Sequence, residues 1–347
     1  MRIMLITQTG FGVGMASFLS SEGHSVGMTI KKGLDIPQIT RLIADNIPDV
    51  AIFDSNEHVV PAEWVRTRGI RVLGASPWSN LLDTNVDYKA DIIKAIGYEQ
   101  AKENEEGVSC VVSCLFNGQN FITKSLTLNY TKMMAGDVGA SVASSGYITY
   151  FKVEDSKLVK DILEPLGKFL RKANHRGCFS VEVIVQDGGR VVVKDISADL
   201  TNPFIQAVCE NTRRSKSDVL LDIFNETSEP IAYIEPYVCG VMVSVYPYPY
   251  TTNEALTQIC GVNPFNLKHM WLMDLQKDGD SWISGLLSGC VGYVTARGKD
   301  HFEAQRRAYH TIKNIKAEGL QYRNDIGKDV GEKLFQLRKS KLIGGDK

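Results

Sequence analysis

GCFSVEVIVQDGGRVVVKDISADLTNPF, residues 177–204, consists of two apolar, β-branched runs split by Asp187-Gly188-Gly189. Such a spacing predicts a hairpin of strands over 178–186 and 190–196. The second run then changes character. Val191-Val192-Val193 gives way to Lys194, Asp195, Ser197, Asp199 and Asn202, and the stretch turns at Pro203. Residues i and i+2 of a strand face the same way, so Asp195 and Ser197 share a face. Glu182 is the one acid of the facing run FSVEVIV and adds a second carboxylate if it points to the same side. Two carboxylates and a hydroxyl suit Mg²⁺, which takes few protein ligands and completes its shell with phosphate and water. A solvated polar turn is the plainer reading, because Lys194 is adjacent and a serine hydroxyl is a poor ligand. Glu182, Asp195 and Ser197 are the candidate metal ligands, and both readings stay open.

Upstream, apolar runs at 2–7, 24–30, 50–54 and 70–73 alternate with helical stretches at 15–21, 37–46 and 61–68. Alternation of this kind predicts a parallel, doubly wound, Rossmann-like sheet. QTGFGVGMASF, residues 8–18, follows the first strand and opens the first helix. Gly10, Gly12 and Gly14 give GxGxG rather than the dinucleotide spacing GxGxxG, and the second strand ends on Lys31-Lys32 without an acid. The three glycines either form a tight β–α turn or bind an anion or substrate.

A helix is expected at 85–96. After the short charged segment YEQAKENEEGVS the texture becomes antiparallel, with strands at 109–116, 121–129 and 146–153 and Asn117-Gly118 as a hairpin turn. GDVGASVASSG, residues 136–146, reads as a loop. Its Gly136, Asp137, Gly139, Ser144, Ser145 and Gly146 are candidates for phosphate or substrate binding, or they are simply a connection. Pro165 within the helical run 158–174 predicts a kink or restart. Helices are expected at 203–209, 217–224 and 302–317, strands at 240–246, 269–275 and 290–296, and a frayed tail at 344–347.

The formal net charge of −1 over 347 residues carries no strong nucleic-acid signal. The seven cysteines show neither a CxxC pair nor zinc spacing, and they suit a reducing, cytoplasmic location. No signal peptide and no apolar stretch long enough to span a membrane is expected. The six histidines have no partner motif, so a Ser/His/Asp triad cannot be argued, and the catalytic residues are unknown at this stage.

CVGYVTARGKDHFEAQRRAYHTIKNIKAEGLQYRNDIGKD, residues 290–329, resembles the end of phosphoribosylamine–glycine ligases, with their "A..RAY" and "YR.DIG" elements. The matches are Ala304, Arg307, Ala308, Tyr309, Tyr322, Arg323, Asp325, Ile326 and Gly327. RGIRVLGAS (68–76) is similar to that family's "GI.VFGPS", LFNGQNF (115–121) to "FLDGEEF", VMVSVYPYPY (241–250) to "VSVVLASEGYP", and VKDISADLTNP to "VIEFNARFGDP".

The resemblance implies an ATP-grasp fold, a place in purine biosynthesis, and a reaction in which ATP activates a carboxyl for attack by an amine. Mg²⁺ and ATP are then the cofactors, with a phosphoribosyl or nucleotide-like ligand. It also makes Leu115 and Asn120 nucleotide-hinge candidates. The departures matter as much. Twelve residues stand where the family has its ATP-covering subdomain. Asp195 and Ser197 replace "E.N", Asp199 replaces an arginine, and Asn120 replaces an acid. GFGVGM stands for "GGREHA" without its Arg, Glu and His. The expectation is therefore α/β and α+β architecture: a Rossmann-like domain at 1–84, a reduced ATP-grasp domain at 85–236 lacking the lid, and a small α+β domain at 237–347. It carries either ligase chemistry of altered form or a pseudoenzyme scaffold, without cofactor, for a protein partner or a homo-oligomer. Arg323 and Asp325 are expected to hold the last domain as an ion pair or cap.

Overall fold

The computed structural model describes residues 1–344 except 45, 155, 201–202 and 251–255. Asn202 and residues 345–347 of the expected tail lie outside the described residues. The chain opens with β1 (Arg2–Thr7), β2 (Ser25–Ile30), β3 (Val50–Phe53) and β4 (Arg71–Gly74), all parallel, in the order β2-β1-β3-β4. Apolar β-branched residues bury β1 and β3 on both faces, as a parallel sheet requires. The crossovers are α1 (Gly12–Ser21), α2 (Ile36–Ala44) and α3 (Val59–Arg66). Two helices follow, α4 (Pro77–Thr84) and α5 (Val86–Ala95). The sequence reading had only the second. The first carries its own signal: Ser76 caps it reciprocally with Ser79, and Pro77 is its first residue.

One large mixed sheet forms the rest of the molecule. Its strands are β5 (Glu99–Gln100), β6 (Val108–Phe116), β7 (Phe121–Met134), β8 (Val138–Tyr150), β9 (Gly177–Val185), β10 (Val191–Ser197), β11 (Tyr237–Val245), β13 (Met270–Leu272) and β16 (Gly292–Gly298). They run in the order β13-β16-β11-β8-β7-β6-β9-β10-β5, and β17 (Leu320–Gln321) pairs with β11. A separate small sheet joins β12 (Thr257–Ile259), β15 (Ser281–Ser284) and β14 (Gln276–Asp278), with the one-turn helix α9 (Pro264–Leu267) between β12 and β13. Between α5 and β6 the chain has only β5 and turns, so the short segment 98–109 builds no subdomain of its own.

Alternation along the strands divides the core into two layers. On one face Val112, Phe179, Val181, Val183, Cys239 and Val241 pack under α6 (Lys157–Lys172), α10 (His301–Ile312) and α11 (Val330–Lys339). On the other face Val238, Met242 and Tyr293 meet Leu5, Phe11, Met15 and Leu19 of the N-terminal unit. α7 (Pro203–Asn211) and α8 (Lys216–Asp222) supply Phe204, Val208 and Leu220 to the same layer.

Two expectations change. The stretch 136–146 is not a loop. β7 runs on to Met134, the chain reverses through Ala135-Gly136-Asp137, and β8 begins at Val138. The reversal uses φ of +76° at Gly136 and +58° at Asp137, a region where glycine and short polar residues are tolerated. Alternation of Val138, Ala140 and Val142 with Gly139, Ser141 and Ala143 carried the strand signal. Pro165 sits inside one uninterrupted helix rather than restarting it, held by the buried stripe Leu158, Ile162, Leu166 and Leu170. From 237 onward, β11 pairs with β8, Tyr237 opposite Tyr150, and continues the central sheet.

Candidate functional site

The β9–β10 hairpin places Glu182 directly opposite Asp195 and Ser180 directly opposite Ser197. A bulge between Val193 and Asp195 absorbs Lys194 and keeps the two acids in register. Glu182 therefore lies beside Asp195 on one face, as a shared site requires. The serine row continues across the sheet, Ser180 opposite Ser113 on β6 and Ser113 opposite Ser125 on β7. Ser113 Oγ and Ser125 Oγ are buried without a hydrogen-bond partner, as is Asn129 Oδ1 further along β7. The result is a polar floor spanning four strands.

The acids of this floor are already paired. Lys89, on α5, places Nζ 2.5 Å from Asp195 Oδ1, with only 16% of its side chain exposed. Lys194 Nζ lies 2.8 Å from Glu182 Oε1, which also accepts from Ser109 Oγ at 3.2 Å. Ser197 Oγ accepts the Asp199 amide at 3.2 Å. A divalent cation here would have to displace two ammonium groups from carboxylates that they already neutralise. Among the described residues no group of three or more His, Cys, Asp or Glu could hold a metal. The residues present do not fit Mg²⁺.

The glycine loop closes on itself in the same manner. Thr7 ends β1, Asp54 follows β3, and the two strands are neighbours in the sheet. The crevice at the carboxyl ends of such strands is where open α/β sheets bind ligands. Here Asp54 fills it. Its carboxylate accepts the Thr7 hydroxyl, the Gln8 amide at 3.1 Å and the Gly12 amide at 3.2 Å. Thr7 Oγ1 in turn accepts the amides of Gly10 (3.1 Å) and Gly12 (3.2 Å). The amides that would cradle a phosphate thus serve an internal anion. Burial pushes the Asp54 carboxyl up to about 6, against the bonds from Thr7, Gln8 and Gly12 and with help from the Asp199 charge.

The glycines answer to packing. A Cβ on Gly14 would stand 2.7 Å from Trp271 Cδ1, and one on Gly12 would stand 2.2 Å from Leu5 Cδ2. A Cβ on Gly10 would meet Leu287 Cδ1 and the Met273 carbonyl at 2.8 Å. The loop is the surface on which the N-terminal unit docks against β13. The sequence reading missed Asp54, though an acid directly after the apolar run VAIF was there to be read.

The remaining candidates are structural in their contacts. Gly136 donates its amide to Asp325 Oδ2 at 2.9 Å, and Asp137 takes Arg323 Nη1 at 2.6 Å. Arg323, 3% exposed, also binds Asp325 through Nε (2.5 Å) and Nη2 (3.1 Å), so the hairpin tip is clamped to the YRNDIG segment. Gly139 has φ +85°, with Met134 Cγ at 3.1 Å from where its Cβ would be. Ser144 Oγ donates to the Gly146 carbonyl and Ser145 Oγ to the Tyr130 carbonyl, so both hydroxyls are committed. A Cβ on Gly146 would meet Ile326 at 2.6 Å. Leu115 is fully buried in the core, and Asn120 closes the β6–β7 turn with Asn117 and reaches the Glu226 carbonyl. All seven cysteines are unpaired, and six of them are buried.

No protein-family model matches the chain. A phosphoribosylamine–glycine ligase from Helicobacter pylori is 26% identical over 237 residues, covering 64% of this chain and 54% of the relative. One from Synechocystis is 24% identical over 244 residues, covering 67% and 58%. The chain thus spans little more than half the length of the curated relatives it matches. Among solved structures, the phosphoribosylamine–glycine ligase of Thermotoga maritima superposes with a TM-score of 0.74 at 15% identity, covering 94% of this chain and 100% of that one. The N5-carboxyaminoimidazole ribonucleotide synthetase of the same organism gives 0.56 at 13% identity, covering 92% and 99%. The chain is a relative of the phosphoribosylamine–glycine ligases and has the ATP-grasp fold.

Proposed function

We propose that this chain keeps the scaffold of a phosphoribosylamine–glycine ligase without its metal-dependent ligation chemistry, and acts as a binding protein. One observation carries the reading: the two carboxylates on the expected metal strands hold lysines, Lys89 on Asp195 and Lys194 on Glu182. Phosphoryl transfer depends chiefly on positioning and on neutralising phosphate charge. The short 98–109 segment leaves no subdomain of this chain to cover a nucleotide, which supports the same reading. A cytoplasmic location fits seven unpaired thiols. The second reading, an active ligase, draws on the in-register pairing of Glu182 with Asp195 above an unsatisfied serine floor. On that reading Lys89 and Lys194 yield to Mg²⁺ when ATP arrives.

Calorimetry with ATP, with and without Mg²⁺, separates the two, together with an assay of glycine-dependent ADP release. The proposal expects no gain in ATP affinity from Mg²⁺ and no ADP release. Mg²⁺-dependent ATP binding that Asp195→Ala abolishes, with ADP released on adding glycine and a phosphoribosylamine, supports the ligase instead.

A further inference from the structure

Past the end of β13 the sheet edge is open, and β16 borders a cavity of about 560 Å³ between α10 and the end of α7. Thr295, Arg297, Arg306, Arg307, His269 and His310 line it, with Glu210 at its base. It lies apart from the docked glycine loop. That loop meets β13, whose Leu272 is opposite Gly292. Arg297 is five residues further along β16, roughly 17 Å at the usual rise of a strand.

The cavity has the features of a built site. Glu210, with 3% of its side chain exposed, accepts Thr295 Oγ1 at 3.0 Å and Arg297 Nη1 at 3.3 Å, and has His269 Nδ1 at 3.1 Å from both oxygens. Arg297 also donates to the Glu210 carbonyl at 2.9 Å. One buried carboxylate therefore fixes a guanidinium and an imidazole in place. Arg307 is tied to Glu303 at 2.9 Å and to the Arg297 carbonyl at 3.0 Å. The Arg306 guanidinium has no hydrogen bond or ion pair with any described residue, and the His310 ring has none either. Three guanidiniums thus converge on one space against two carboxylates, with one left uncompensated. Arg306 and Arg307 are exposed, so solvent screens part of this repulsion, and an anion bound between the guanidiniums relieves the rest. The volume is that of a small-molecule pocket, and arginine forks match phosphate oxygens in pairs.

We propose that this cavity binds a phosphate-bearing small molecule, with Arg306 and Arg297 as the principal donors and Glu210 as the group that positions Arg297 and His269. The inference is independent of whether the central sheet binds ATP.

The probe is inorganic pyrophosphate, followed through the imidazole NMR signals of His269 and His310, each assigned with its His→Gln variant. Saturable shifts of both signals are expected. Arg306→Glu removes a donor that holds nothing else in place, so the fold should survive it. Affinity should fall about tenfold or more, the loss of one charge-assisted hydrogen bond. Arg41→Glu, on the surface of α2, should leave affinity unchanged and controls for bulk electrostatics. Absence of shifts at both histidines in the unmodified protein overturns the proposal. So does equal weakening by Arg306→Glu and Arg41→Glu.

Discussion

Replacing Asp54 by Asn tests the claim that the glycine loop is closed by an internal anion. Asp54 is 2% exposed, and burial is the largest influence on it, lifting its pKa from the ordinary 3.8 to about 6. Where the native carboxyl is still protonated and the unfolded one is not, the native state binds more protons, so stability falls as pH rises. The contribution is fully present below 3.8 and is lost as pH climbs through about 6. A shift of about two units at 1.36 kcal/mol each corresponds to about 3 kcal/mol. Asp54→Asn keeps the shape and one acceptor oxygen but cannot titrate. Urea denaturation of both proteins at several pH values between about 4 and 7 gives the difference in stability, in which all other titrations cancel. The unmodified protein should lose about 2–2.5 kcal/mol relative to Asp54→Asn from the low to the high end of that range, the rest being lost below about pH 4. A difference that does not change with pH, or one that rises with it, refutes the reasoning.

Gly14→Ala places a methyl 2.7 Å from the Trp271 ring and 2.9 Å from the Leu272 amide, both in the docked β13 segment. Overpacking of that kind should destabilise by about 1–3 kcal/mol in urea denaturation; a stabilisation of about 0.5–1 kcal/mol, the pure helix-propensity effect, would count against the packing role. Arg323→Met strands Asp325 and unclamps the β7–β8 tip, so a loss of about 3 kcal/mol is expected, toward the low end for a buried ion pair because Asp137 can rehydrate. Its melting temperature is the check, and an unchanged value contradicts the clamp. Cys260 is the one exposed thiol among seven. A thiol reagent should therefore label the native protein once at Cys260 and the unfolded protein at all seven cysteines.

Local patterns were the legible part of this molecule. The alternation of apolar strands and helices at 2–73, the Asp187-Gly188-Gly189 hairpin and the Asn117-Gly118 turn are set by neighbours in the chain, and each appears within a few residues of its expected place. The pairing of Glu182 with Asp195, left conditional by the sequence, depends on the bulge at Lys194, because an unbroken hairpin register would set Glu182 opposite Lys194. Lys89 was not legible, because it lies 106 residues from the carboxylate it neutralises and no local pattern encodes that meeting. The same holds for Gly14 against Trp271, where the demand for a missing Cβ comes from a distant segment. The β7–β8 hairpin was hidden by composition: glycine and serine suggest a loop, and only the weak alternation of Val138, Ala140 and Val142 marks a strand. The basic cavity beside β16 gathers residues from α7, β16, α10 and the turn at His269, so its convergence is visible only in three dimensions.

The central claim is that lysines occupy the charge balance that Mg²⁺ would supply, and a double substitution tests it most directly. Lys89→Met with Lys194→Met leaves Asp195 and Glu182 side by side without their ammonium partners. Calorimetric titration of Mg²⁺ in the presence of ATP, on the unmodified protein and on this variant, is the measurement. The account predicts no heat from the unmodified protein beyond that of Mg²⁺ binding to free ATP, and a measurable excess from Mg²⁺-dependent binding in the variant. Saturable Mg²⁺–ATP binding by the unmodified protein, weakened by Asp195→Ala, would contradict it.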